Sequence, residues 1–150
     1  MVRFLKTNSG KKGEGMPVFR NPQFYFKEGF CWNNVLNPNA RLLKVRVKGA
    51  SVNDVGAMSL IPEFLPTCYL VAYLNSNLIF DYYREFINCT VNVQINDLRQ
   101  VPVVIPTEIE LERIKTYVET LQSNEVRSIS FEDTEKLLDN IIFEICTRNK

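Results

Sequence analysis

The stretch FRNPQFYFKEGFCWNNV, residues 19–35, places six aromatic residues within seventeen positions of a 150-residue chain. Its second half, QFYFKEGFCW, is rich in the aromatic residues that β-strands favour. It is interrupted by Glu28-Gly29, a pair that is typical of a turn. The pattern therefore predicts a strand, a turn and a second strand at the start of the folded part of the chain.

The next segment, ARLLKVRVKGASV (residues 40–52), alternates with a period of two. The apolar positions are Leu43, Val45 and Val47, and the cationic positions are Lys44, Arg46 and Lys48. Such alternation predicts a strand with one buried face and one basic face. DVGAMSLIP (residues 54–62) then predicts a turn through Gly56 into a further short strand.

Helical signals begin at Thr67, a candidate N-cap, and continue to residue 88. The polar run Asn75-Ser76-Asn77 interrupts them, so two short helices are predicted in place of one long helix. CTVNVQIND (residues 89–97) alternates again and predicts another half-buried strand. LRQVPVVIP (residues 98–106) is expected to be extended, because its prolines restrict it to an edge or a connection.

The last third of the chain carries the pattern of two amphipathic helices. Thr107 and Glu110 have the spacing of a capping box, and apolar residues recur after them at helical intervals up to Leu121. Ser130 is a candidate cap for a second helix over residues 131–149. We expect an α+β fold with a small mixed or antiparallel sheet, in which residues 1–106 form the main domain behind a flexible lead-in (1–18). Residues 107–150 are expected to form a helical hairpin that packs on it.

The composition is that of an ordinary globular protein, with 45% hydrophobic and 23% charged residues. No apolar run reaches the roughly 18 residues of a membrane helix, and the N-terminus lacks an apolar signal-peptide core. A cytoplasmic protein is therefore predicted. The chain has no histidine and four widely spaced cysteines without a CxxC pair, which predicts reduced thiols and no metal site.

The charges are divided unevenly along the chain. Residues 1–60 contain ten Lys and Arg against three acids, whereas residues 61–150 contain eight against fourteen, giving net charges of +7 and −6. One interpretation is a basic face that meets a polyanion such as nucleic acid. The alternative is that folding intermixes the two halves and leaves no patch.

No catalytic motif is complete. Asn21-Pro22-Gln23-Phe24 differs by one letter from the Asn-Pro-Pro-Phe tetrapeptide of amino-methyltransferases. The twenty residues before it cannot hold the strand and glycine-rich turn that such enzymes need to bind S-adenosylmethionine. Nucleotide-binding, nucleophile-elbow and zinc-protease motifs are absent as well. A non-catalytic chain is therefore predicted, and a small stand-alone enzyme is the weakest of the alternatives.

Several segments in order nevertheless resemble the target-recognition domain that follows the methyltransferase in Eco57I- and TaqI-like proteins. These are Type IIG restriction-modification enzymes and adenine-N6 DNA methyltransferases. The similarity covers residues 19 to about 122 and rests on these matches: the aromatic-Lys-x-Gly segment Tyr25 to Trp32, Arg41, the loop Gly56 to Ile61, Leu74-Asn75-Ser76, and Gln94 to Pro102. The second C-terminal helix, residues 131–149, lies beyond the matched part.

The resemblance implies a specificity domain that recognises a short sequence of double-stranded DNA without catalysis of its own. In a full-length protein it would work with a methyltransferase domain, which binds S-adenosylmethionine, and with an endonuclease domain; no cofactor is expected in this chain. Met1 before VRFLK fits an excised fragment or a stand-alone remnant. The rival hypothesis is a protein-interaction module that uses the C-terminal helices.

Candidate DNA-binding residues follow from the resemblance and from the chemistry of the side chains. Arginine and lysine pair with guanine or phosphate, and asparagine pairs with adenine. Tyr25, Phe26, Phe30 and Trp32 are expected to build the core in preference to stacking on bases. The candidates are Lys27, Asn33, Arg41, Lys44, Arg46, Lys48, Asn53 and Ser59.

Overall fold

A computed structural model of the chain describes residues 22–52, 57–122 and 131–148. These residues form a three-stranded antiparallel sheet and five α-helices, so the predicted α+β class is confirmed. The strands are β1 (Gly29–Asn33), β2 (Arg46–Lys48) and β3 (Ala57–Leu60), with β1 in the centre. The helices are α1 (Thr67–Leu74), α2 (Asn77–Tyr82), α3 (Ile95–Leu98), α4 (Glu108–Gln122) and α5 (Phe131–Thr147).

Strand β1 pairs with both neighbours over most of its length. Cys31 lies opposite Arg46 of β2 and opposite Ser59 of β3. Phe30 and Trp32, which point to the other face, are buried in the main core. The predicted turn at Glu28-Gly29 is wrong, because Gly29 is already the first residue of β1. A β-carbon at Gly29 would lie 2.3 Å from the carbonyl oxygen of Leu60, so glycine permits the close approach of β3.

The chain before β1 does not form a first strand. Pro22–Phe24 form a single 3₁₀ turn, and Phe26 adopts a left-handed conformation with φ 57°. Phe26 is exposed, Tyr25 is half-buried, and only Phe30 and Trp32 of the four aromatic residues expected in the core are buried there. The reversal at Phe26 therefore divides the aromatic segment into a surface part and a core part.

The predicted strand over residues 40–52 is reduced to Arg46–Lys48. Lys44 is left-handed, with φ 54°, and Leu43 and Val45 on either side of it are both buried. The alternation of burial does not continue into β2, where Val47 is exposed and Lys48 is buried. The cations of this segment do not share one basic face.

The break predicted at residues 75–77 is confirmed, because α1 ends at Leu74 and α2 begins at Asn77. The Ser76 hydroxyl accepts a hydrogen bond from the Ile79 N–H, as an N-cap does. Thr67 is the first residue of α1 instead of its cap, a position that Pro66 occupies. After α2 the chain continues through one π-helical turn, Tyr83–Ile87.

The strand predicted over residues 89–97 is wrong. A single β-bridge joins Asn92 to Val35, and the chain then turns into α3. The Gln94 N–H donates to the Asp97 carboxylate at 2.8 Å, and the two residues form a reciprocal capping box. Capping at Gln94 starts a helical turn where the alternating pattern predicted extended chain.

The capping box predicted at Thr107 and Glu110 is confirmed. The Thr107 N–H donates to the Glu110 carboxylate at 2.6 Å, and the Glu110 N–H donates to the Thr107 hydroxyl at 3.3 Å. Helices α4 and α5 are antiparallel neighbours, since Arg113 near the start of α4 pairs with Glu144 near the end of α5 at 3.0 Å. The cap predicted at Ser130 lies outside the described residues.

The core is one cluster that includes residues from the sheet, from α1 and α2, and from the C-terminal hairpin. Ile114 of α4 and Ile141, Ile142 and Ile145 of α5 are fully buried in it. Two tyrosines of α1 bind the extended segment that precedes α4: the Tyr69 hydroxyl donates to the Val104 carbonyl and the Tyr73 hydroxyl to that of Pro102. Within the described residues, no helix has the length and apolar character needed to cross a membrane.

Candidate nucleic-acid interface

The face of the sheet that points away from Phe30 and Trp32 carries polar side chains around Cys31, which is buried. Neighbouring residues across an antiparallel pair point to the same side, so Arg46 and Ser59 lie beside Cys31, and Asn33 follows two residues later on that side. Asn33 and Arg46 are exposed, and Ser59 is half-buried. We call Asn33, Arg46 and Ser59 the polar sheet face; three of the eight predicted residues meet there.

Arg46 is oriented by its neighbour on this face. One guanidinium nitrogen donates to the Asn33 side-chain oxygen at 3.3 Å. This bond uses one of the five guanidinium N–H donors, so the others remain available to a ligand. The pair thus presents a partly positioned cation on an exposed strand.

Lys48 points to the same side but is buried. Its ammonium nitrogen donates to the backbone carbonyls of Lys27, Gly49 and Ser51 at 2.7, 3.2 and 3.0 Å. An ammonium group has three donors, and all three are engaged. Lys48 therefore fastens the loop after β2 to the segment before β1 and does not project towards a ligand.

Two further predicted residues lie near the entrance to β1 or outside the described chain. Lys27 is exposed, and its ammonium nitrogen lies 5.8 Å from the centre of the Phe24 ring, within the range of a cation–π contact. Asn53 falls outside the described residues. Lys27 is available at the surface, and the sheet register does not include it with the polar sheet face.

Arg41 and Lys44 line a different surface. Both border a cleft of about 720 Å³ between the segment before β2, helix α1 and the C-terminal hairpin. Val47 also lines this cleft, and it points away from Arg46 because the two are consecutive residues of one strand. The predicted cations therefore divide into two groups on opposite sides of β2.

The segments that carry the family resemblance have structural roles in this fold. The Asn75 side chain accepts from the Val45 N–H at 2.8 Å and donates to the Val45 carbonyl at 2.7 Å, as a neighbouring strand would. The Trp32 indole N–H donates to the Val93 carbonyl at 3.0 Å. The sequence indicated a helix break at Asn75, but nothing in its local pattern predicted the pairing with Val45, thirty residues away.

Asp97 joins three segments through its carboxylate. It accepts from the Gln94 N–H and the Asn88 side chain, both at 2.8 Å, and from the Tyr83 hydroxyl at 3.4 Å. Burial, together with the Asp97 charge, raises the pKa of Tyr83 well above its usual value. The tyrosine stays protonated and can donate, so the Gln94-to-Asp97 motif holds the π-helical turn against α3.

Three further ionisable side chains of the core have raised pKa values. Burial raises the pKa of the Cys146 thiol, and the same cause raises the pKa of Tyr69 and of Tyr73. These groups are neutral at physiological pH. Within residues 22–52, 57–122 and 131–148, no three His, Cys, Asp or Glu side chains are grouped so that they could hold a metal ion.

Comparisons with known proteins assign no family. No protein-family model matches the chain, and a comparison with curated proteins returned no significant match.

Proposed function

We propose that the chain is a sequence-specific double-stranded DNA-binding module, a target-recognition domain without catalysis of its own. The observation that supports this most directly is the polar sheet face, where a guanidinium, an amide and a hydroxyl lie on three adjacent strands. These are the side-chain types that form hydrogen bonds with base edges. The order of the family-like segments along the chain supports the same proposal.

The geometry of a short antiparallel sheet suits this role. The major groove of B-DNA admits a two-stranded β-ribbon, and β2 and β1 form such a pair with Arg46 and Asn33 on one face. A bidentate contact of arginine with guanine, or of asparagine with adenine, contributes about 1–3 kcal/mol of discrimination. The hydrogen bond between Arg46 and Asn33 would break or rearrange when either side chain engages a base.

The catalytic part of the system would reside elsewhere. In this proposal the module works with an adenine-N6 DNA methyltransferase domain, which binds S-adenosylmethionine, and in a restriction-modification enzyme also with an endonuclease domain. The module supplies the sequence preference, and the partner domain supplies the chemistry and part of the grip on phosphates.

The test is selection of bound duplexes from a random pool at two salt concentrations, followed by sequencing. We expect a motif of a few base pairs to be enriched at low salt and lost at high salt, since released counterions make phosphate contacts salt-dependent. Arg46→Gln should remove or relax one position of the motif. Arg99→Gln is the matched control, because Arg99 is exposed and lies beyond the sheet at the end of α3.

The outcomes distinguish recognition of the base sequence from nonspecific contact with phosphates. Salt-sensitive binding without an enriched motif would mean that the module contacts phosphates and needs its partner domain to read bases. Absence of binding at both salt concentrations would contradict the proposal for the isolated module. An equal loss of the motif in the Arg46 and Arg99 variants would contradict the placement of the interface on the polar sheet face.

A second candidate is a protein-interaction module that uses the C-terminal helices. Among the described residues, the exposed large apolar side chains there include Ile105 before α4, Ile109 in its first turn and Phe143 on α5. Ile109 is the most exposed of these, at 76%. Self-association that persists at high salt and is abolished by Ile109→Glu would favour this candidate.

A further inference from the structure

The cleft beside Arg41 and Lys44 combines an apolar floor with charged walls. Val71 of α1, Val118 of α4 and Leu138 of α5 contribute to the floor. Its volume of about 720 Å³ lies within the range of small-molecule sites, which are mostly apolar with a few polar groups. The cleft is on the opposite side of β2 from the polar sheet face, so it can be occupied independently of DNA.

No described residue forms a hydrogen bond or a salt bridge with the cations of the cleft. Among the described residues, Arg41 and Lys44 form no hydrogen bond or salt bridge, and the same holds for Lys136 on the α5 side. Arg41 and Lys44 come from the segment before β2 and are both exposed. A concave site with unpaired cations attracts an anionic group.

The carboxylates that line the cleft offset its cations only in part. The Asp139 carboxylate accepts from the backbone N–H of Asn77 at 2.8 Å and also from the Asn77 side chain. It is thereby fixed at the start of α2. Among the described residues of the lining, Glu135 is the other acidic side chain, so three cations and two carboxylates leave a net charge of +1.

Lys44 is held at the cleft by an uncommon backbone conformation. A left-handed lysine costs about 1–2 kcal/mol relative to an ordinary conformation. The fold maintains it because Leu43 and Val45 are buried on either side and Asn75 binds both backbone polar groups of Val45. Strain of this kind persists where surrounding structure enforces it, often at ligand sites.

We infer that this cleft binds a small amphipathic anion, a molecule with one carboxylate or phosphate on an apolar body. Arg41 and Lys44 would bind the anionic group, and Val71, Val118 and Leu138 would contact the apolar body. Binding requires no change of covalent bonds and no cofactor. The inference does not depend on the proposed DNA-binding function, because it concerns the other side of β2.

The test uses four probes on the 150-residue chain: decanoate and decyl phosphate below their micellar concentrations, decanol below its solubility limit, and inorganic phosphate. Isothermal titration calorimetry gives the affinity and stoichiometry, and ¹H–¹⁵N NMR spectra locate the site. We expect one or both amphipathic anions to bind one-to-one, with shifts at Lys44, Asn75 and Val118. Decanol lacks the charge and inorganic phosphate lacks the apolar body, so each should bind at least about tenfold more weakly. The tighter of decanoate and decyl phosphate identifies the preferred anionic group.

Lys44→Asn separates ligand binding from folding. Asparagine tolerates the left-handed conformation better than lysine, so this variant should be at least as stable as the original chain. It should bind the amphipathic anion about tenfold more weakly, and Arg41→Gln should have a similar effect. Arg46→Gln removes a cation from the opposite side of β2 and should leave binding of the probe unchanged.

Three outcomes would overturn the inference: no one-to-one binding of either amphipathic anion, equal affinity in the Lys44→Asn variant, or equal affinity for decanol. A loss of duplex binding in Lys44→Asn and Arg41→Gln, with the Arg46 variant unaffected, would also overturn it and would assign the cleft to DNA. If the duplex selection fails, the probe titration can still succeed. The DNA-binding proposal and the cleft proposal can therefore be refuted independently.

Discussion

On one face of the sheet Phe30 and Trp32 are buried among helices, whereas on the other face Asn33 and Arg46 are exposed and are joined by a hydrogen bond. The buried face is constrained by shape and by hydrogen bonds to distant segments, such as that from Trp32 to Val93. On the other face Lys48 is buried and binds the loop after β2, but Asn33 and Arg46 remain at the surface. The difference teaches that long-range packing constrains the buried face, whereas an exposed side chain such as Arg46 is less constrained by the fold.

The largest expected effect is at the centre of the buried face. Trp32→Ala removes a side chain with no exposed surface and should lower the free energy of unfolding by about 3–5 kcal/mol. Urea denaturation measures this change. Phe64→Ala, at an aromatic residue that is 93% exposed, is the control and should change it by less than about 0.5 kcal/mol. Similar values for the two variants would contradict the assignment of Trp32 to the core.

The next effect is at Asn75, which lies between α1 and α2 and binds the backbone of Val45 just before β2. Asn75→Ala leaves the N–H and the carbonyl of Val45 without partners, and each should cost about 1–3 kcal/mol. Asn77→Ala is the matched control, since its side chain is exposed and donates to the Asp139 carboxylate, and it should cost about 0.5 kcal/mol. Chemical denaturation of both variants compares them, and equal losses would refute the strand-like role of Asn75.

A smaller effect distinguishes the two cations of β2. Lys48→Met retains the aliphatic stem and removes the ammonium group, so three carbonyls lose their donor; we expect a loss of about 1–2 kcal/mol. Arg46→Met, two residues earlier on the same face, should change stability by less than about 0.5 kcal/mol. Thermal unfolding monitored by circular dichroism suffices. If Arg46→Met proves the more damaging, the polar sheet face belongs to the fold and is not a free surface.

The smallest effect lies in the hairpin and depends on pH. Burial opposes ionisation of Glu110, but the hydrogen bond from the Thr107 N–H and the contact with Arg148 outweigh it and lower the pKa of Glu110. A lowered pKa stabilises the fold above the pKa of the unfolded state, and this contribution is lost as the pH falls through the folded value. Glu110→Gln should therefore cost about 1 kcal/mol at neutral pH and almost nothing in acid. A cost that is independent of pH would contradict this explanation.

The sequence predicted local structure correctly where no other feature of the fold opposed the local signal. The capping box at Thr107 and the break at residues 75–77 need only neighbouring residues, and both are present in the fold. It was insufficient where another feature interrupted the pattern: Lys44 is left-handed within one alternating run, and the capping box at Gln94 starts a helix in another. In β2 the alternation predicted the side to which each residue points, but it did not predict that Val47 is exposed and Lys48 is buried.

The site could be predicted only in part for the same reason. Asn33, Arg46 and Ser59 meet because the register of three strands brings them together, and register is set by long-range pairing. Lys48 satisfies the same composition rule as Arg46, but its reach to three carbonyls depends on a loop geometry that no spacing reveals. Side-chain type identified the candidate residues, but only the tertiary structure distinguished the exposed Arg46 from the buried Lys48.

The buried tyrosines have an optical consequence. Tyr69, Tyr73 and Tyr83, three of the six tyrosines, have pKa values raised mainly by burial. Stability that rests on a raised pKa is present below the unfolded value and is lost as the pH rises towards the folded one. In an alkaline titration half of the tyrosinate absorbance should thus appear abruptly, when the chain unfolds. The ultraviolet spectrum of the protein contains its own unfolding indicator, and it requires no added dye or label.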